Sequence, residues 1–151
     1  MSEAPATQAQ RILDQLVTWL SEIQQVNGYY TDTGLDIRTE QDRDEDPLAP
    51  CLLVLDEDAA YSAPGSSQRG TWTQLFTLEG LIGDDGDGRR LGRQVLADLH
   101  RALRRRPTDW PPEAGVLSMS ERSRELPRRP SNSDWLTPSV SLEITYVDKE
   151  V

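Results

Sequence analysis

The chain has 151 residues, enough for one domain that buries roughly two-thirds of its unfolded surface without disulfides or metals. Apolar residues make up 36% and charged residues 28%, no apolar run approaches the length of a membrane span, and the N-terminus lacks signal-peptide features, so a soluble cytoplasmic protein is expected. The formal net charge of -10 is uneven, with 16 acids against 4 bases in residues 1–85 and 10 against 12 in residues 86–151; general affinity for nucleic acid is disfavoured, because phosphates are repelled at long range.

Residues 7–26 predict a first helix. Ile12, Leu13, Leu16, Val17, Trp19, Leu20, Ile23 and Val26 fall within an arc of about 180°, and Asn27-Gly28 supplies a stop. Residues 29–38 read as an extended segment, with Leu35 and Ile37 alternating against Asp36 and Arg38. Residues 40–47, with Asp42, Asp44, Glu45 and Asp46, form a flexible acidic loop by self-repulsion. The run Pro50-Cys51-Leu52-Leu53-Val54-Leu55 predicts a central strand covered on both faces, and the turn-rich residues 58–70 lead on from it.

The organising stretch is residues 70–103. Its strand at 71–78 sets Trp72, Phe76 and Leu78 on one face and Leu75 on the other; an acidic, glycine-rich turn at 83–88 follows. A helix at 89–105 gathers Leu91, Val95, Leu96, Leu99, Ala102 and Leu103 on one side and sets Arg90, Arg93, Arg101 and Arg104 on the other. Residues 107–138, with six prolines, predict a long irregular loop containing at most a short strand at 116–119. Residues 139–147 alternate cleanly, with Val140, Leu142, Ile144 and Tyr146 inward. The expected fold is a single α+β domain in which a mainly antiparallel, or mixed, sheet packs against two amphipathic helices.

Motifs for chemistry are weak. Asp32-Thr33-Gly34 matches the tripeptide of aspartic proteases but is followed by Leu35, is preceded by no apolar strand, and is ordinary turn chemistry. The glycine spacing of residues 65–71 lacks the lysine of a phosphate loop, and residues 85–88 lack the later ligands of a calcium loop. His100 is expected at the surface and Cys51 as a small buried thiol, so neither catalytic residues, cofactor nor metal is assigned. The arginine stripe has three readings: a solvated helix face, a surface for an acidic protein partner, or a nucleic-acid contact. Arg105, Arg106, Arg122, Arg124, Arg128 and Arg129 extend it. The charge asymmetry itself reads either as solubilising loops or as copies meeting acidic side to basic side.

The succession of an amphipathic helix, Gly28-Tyr29-Tyr30, a Pro50-led apolar strand, the 71–78 strand, the Leu91 to Leu103 helix and a closing Val140-x-Leu-x-Ile-x-Tyr146 strand resembles the tail terminator and tail completion proteins of tailed bacteriophages. The resemblance spans most of the chain as a pattern of elements, without an invariant signature. It implies a non-enzymatic virion protein, assembled in the host cytoplasm, that forms a six-fold ring on the finished tail tube, stops its growth and meets the head-tail connector or neck protein. A head-closure or head-completion protein is the alternative. On that reading Tyr61, Trp110 and Trp135 are candidate anchors for partners, the arginine stripe is a candidate interface, and Asp42, Asp44, Glu45 and Asp46 are candidate lumen-facing acids past which DNA slides without specific binding.

Overall fold

The computed structural model describes residues 6–39, 51–63, 70–83, 88–126 and 135–149. Helix α1 (Gln8–Leu20) starts at Thr7, whose hydroxyl accepts from the Gln10 N–H at 3.1 Å. Strands β1 (Ile37–Arg38), β2 (Cys51–Ser62) and β3 (Thr71–Gly83) follow, then α2 (Gly88–Ala102), β4 (Val116–Glu125), β5 (Trp135–Leu136) and β6 (Ser139–Val147). The sheet runs β1-β2-β3-β6-β4, with β5 on the end of β3. It is mixed, because β1 lies parallel to β2 while every other pairing is antiparallel.

One apolar core joins both helices to one face of this sheet. Ile12, Leu16, Leu20 and Ile23 from the first helix and its exit, and Val95, Leu99 and Ala102 from α2, meet Leu52, Val54, Phe76, Leu78, Val140, Leu142 and Ile144. The strict alternation of β6 makes this possible, since a pleated strand aims every second side chain at the same layer. At Gly80 the helix comes so close that an added Cβ would lie 2.8 Å from the Val95 side chain. The start of α1 is tied in by Gln8, whose side-chain amide donates to the carbonyls of Ala114 (2.7 Å) and Val147 (2.6 Å) and accepts from the Lys149 N–H at 3.1 Å.

Several boundaries differ from the sequence reading, each for a tertiary reason. The first helix ends at Leu20, not Val26: the Ile23 carbonyl accepts from the Gly34 N–H at 2.9 Å and the chain turns under itself. Val26 is therefore 86% exposed instead of joining the core, and Gly28, at φ 87°, closes a separate 3-10 turn over Gln25–Asn27. The segment expected to be extended includes a 3-10 turn at Thr33–Leu35 that exposes Leu35, leaving only two residues of β1.

Strand β2 is twice as long as predicted, and only the predicted part lies inside the sheet, between β1 at Leu52 and Leu53 and β3. Among the described residues no second strand flanks Asp56 to Ser62, which is an exposed edge. Residues 107–138 also proved less irregular than expected. They hold 3-10 turns at Pro107–Asp109 and Pro112–Ala114 and the ten-residue strand β4, whose pairing with β6 supplies the order that its polar sequence does not advertise. The acidic loop at 40–47, with Asp42, Asp44, Glu45 and Asp46, and the two glycine-rich motifs at 65–71 and 85–88 fall mostly or wholly outside the described residues.

The opposite sheet face carries Leu53, Leu55, Leu75 and Leu81, half-buried among Thr73, Thr77, Thr145, Glu79 and Glu143. Burial pushes the Glu79 carboxyl above the ordinary carboxylate range. A raised acid binds its proton more readily in the folded state, so stability falls as pH rises from the unfolded value through the folded one. Glu79→Gln is accordingly expected to raise Tm by about 1–2 °C at pH 7, after allowance for solvent screening, and to change it little below pH 4. Thermal melts at the two pH values check this.

Candidate functional site

Helix α2 presents the main candidate surface. Arg90, Arg93 and Arg101 are exposed along its outer side, and Arg104 continues the line just past its end. Among the described residues Arg90, Arg93 and Arg104 make no ion pair. Arg101 is different. It donates to the Gly28 carbonyl at 2.8 Å and stacks over the Tyr29 ring at 4.2 Å, so it pins the 3-10 turn against the helix and is a poor probe of any interface. Arg105 also faces inward business, pairing with Glu22 at 2.8 Å while lying over Trp19 at 4.9 Å. Arg122 and Arg124 are paired on the sheet, with Glu143 at 3.0 Å and Glu121 at 3.1 Å, and do not extend the free stripe.

The buried side of α2 holds a polar residue that the apolar periodicity did not reveal. Asp98, 1% exposed, accepts from the Tyr30 N–H at 3.0 Å, the Thr31 N–H at 2.8 Å and the Thr31 hydroxyl at 2.7 Å. The carboxylate acts as the missing half of a ladder for a segment that has no strand neighbour among the described residues. The only signal in the sequence was its position beside Leu99 on an otherwise apolar arc.

The three aromatic anchors fare differently. Tyr61 is 49% exposed on the edge of β2 and lies against Trp72, ring centroids 4.8 Å apart. The Tyr61 ring lies directly over Gly70, where an added Cβ would push it outward. Trp135 belongs to β5 and pairs with Gly83; its side chain lies outside the described residues. Trp110 is not a surface anchor. It is 4% exposed and packs edge-on against Trp19 at 4.6 Å, because the 3-10 turn at Pro107–Asp109 folds it beneath α1. Its indole N–H has no hydrogen-bond partner among the described residues, so Trp110→Phe forfeits volume alone. A loss of about 1 kcal/mol in urea melts is expected.

The weaker chemical motifs are structural where they are described. Asp32 Oδ1 accepts from the Gln25 N–H at 2.8 Å, and Gly34 abuts the end of α1, so Asp32-Thr33-Gly34 serves as a turn. His100 Nδ1 meets Glu121 Oε2 at 2.9 Å, joining α2 to β4. Cys51 is buried; desolvation, helped by Asp36 and opposed by Arg38, pushes its thiol up, away from the reactive thiolate. Among the described residues no group of three or more His, Cys, Asp and Glu side chains converges as a metal site. An open cleft of about 330 Å³ lies between the start of α1 and the sheet, with Gln8, Trp72, Tyr146 and Asp148 in its wall.

No protein-family model matches the chain, and no curated protein matches its sequence. Its surfaces are therefore interpreted from their own chemistry. The basic side of α2 is one; the other is the edge of β2, where Asp56, Glu57 and Asp58 are exposed and make no ion pair among the described residues.

Proposed function

We propose that this chain is a structural virion protein of a tailed bacteriophage, which forms a ring on the end of the tail tube, terminates tube growth and offers its far face to the head-tail connector or neck. Capping a polymer requires one surface that fits its end and another that does not repeat that fit; surfaces carry the function, not a reactive pocket. The observation that supports the reading is the element succession. Helix, apolar strand, second strand, helix and closing strand follow in the order on which the resemblance rests, and they assemble into one sheet with both helices on one face. The acidic edge and basic helix face suit contacts between neighbouring copies, as a ring demands.

The test is a binding and mass measurement on the full chain. Multi-angle light scattering is run on the protein alone and with purified tail-tube protein, and again with a portal or adaptor ring. Retention on the tube, as a discrete multimer near six copies, is the expected result. Binding to the portal or adaptor alone would transfer the protein to the head-closure class, and a monomer that ignores both would end the assembly reading.

A further inference from the structure

We propose that the open half of β2 in one copy docks along the arginine face of α2 in the next, making the head-to-tail contact of the ring. This rests on the ring reading above and specifies its interface.

The open edge comes first. From Asp56 to Ser62, β2 is bonded to β3 on one side and has no strand on the other among the described residues. A bulge between Asp56 and Ala59 sets Glu57 and Asp58 against a single position of β3, turning this half of the strand outward. Three uncompensated carboxylates and the exposed Tyr61 therefore line one strip. The bulge and the like charges oppose pairing with another strand, so what this strip offers a partner is side-chain charge and an aromatic ring.

The second surface is complementary in sign and long enough to cover the first. Asp56 to Tyr61 spans about 16 Å at strand rise, and the stripe from Arg90 to Arg104 spans about 21 Å at helix rise. Arg90, Arg93 and Arg104 are free of ion pairs among the described residues, so their charge is available to a partner.

Helix α2 lies on the sheet face and reaches β4 through the His100–Glu121 contact and the packing of Leu126 against Gly92, whereas β2 and β1 form the other edge of the same sheet. Within one copy no ion pair joins the acidic strip to these arginines among the described residues. Pairing between copies is heterologous, because the two patches differ, and such a contact generates a ring when the rotation from copy to copy closes. A second copy is thus the occupant that charge and dimensions select.

The experiment uses two full-length variants. One carries Asp56→Lys, Glu57→Lys and Asp58→Lys; the other carries Arg90→Glu, Arg93→Glu and Arg104→Glu, with Arg101 left in place because it holds Gly28. Each is sized alone, with and without tail-tube protein, and then mixed in equal amounts, with circular dichroism checking the fold. Each variant alone is expected to lose at least tenfold in self-association, and the mixture to regain the wild-type mass, because the lysine edge of one copy then meets the glutamate helix of the other. The milder pair Asp58→Lys and Arg93→Glu serves in the same way if a triple variant does not fold. Folded variants that keep the wild-type mass would overturn this contact and leave the ring reading intact, since the acids would then only guard an edge. Failure of the mixture to recover would overturn it too. A wild-type chain that stays monomeric, even with tube protein, would remove both.

Discussion

Gly34→Ala is expected to destabilise the fold by about 3 kcal/mol or more. A Cβ at this position would lie 2.5 Å from the Leu20 carbonyl oxygen, 2.7 Å from that of Ile23 and 3.0 Å from the Ile23 nitrogen. All three are backbone atoms at the end of α1, so no side chain can swing aside to relieve the overlap. The Gly34 N–H bond to Ile23, at 2.9 Å, would stretch as the turn is pushed away, and with it the contact that ends the helix. Urea titration followed by tryptophan fluorescence should show the midpoint falling with little change in slope. An unchanged midpoint would mean that the loop at residues 31–36 is not pressed against α1 as described.

Asp98→Ala should have an effect of similar size, about 3 kcal/mol, by a different route. It strips the acceptor from two backbone N–H groups and one hydroxyl, and Thr31 is 4% exposed, so water cannot readily replace what is lost. Asp98→Asn should fall between wild type and Ala, since one oxygen remains to accept while the amide meets donors. A cycle combining Asp98→Ala with Thr31→Val separates the hydroxyl bond from the two backbone bonds. Strong coupling is expected, because the carboxylate and the hydroxyl belong to one buried network that includes Thr33, whose hydroxyl lies 3.2 Å from that of Thr31.

Both predictions concern the segment between the first helix and β1, which periodicity read least well. Apolar spacing carried the first helix as far as Val26, because a 3.6-residue pattern continues on paper whether or not the backbone does. The turn past Leu20 is held by Gly34, which donates to the Ile23 carbonyl and is far enough along the chain to be invisible to a local rule. Asp98 escaped for a related reason: a carboxylate on a helix ordinarily marks the wet side, and only the amides of Tyr30 and Thr31 make burial tolerable.

The arginine stripe was legible and is exposed as expected, but its division of labour was not. Arg101 looks like Arg90 and Arg93 in sequence; one hydrogen bond to Gly28 and one ring contact give it a structural task. Trp110 shows the converse. Its proline-rich surroundings suggest a surface anchor, and a turn folds it beneath Trp19.

By itself the sequence determined the class of the fold, the inward face of β6, the core side of α2 and the polarity of its outer side, because each depends on residues within one or two turns or on a repeat of two. The tertiary structure alone decided where α1 stops, that a polar run from Val116 to Glu125 becomes a paired strand, and that the acidic half of β2 has, among the described residues, a strand on one side only. Those outcomes depend on which distant backbone groups come within hydrogen-bonding reach, and pairing between remote segments leaves no periodic trace in either of them.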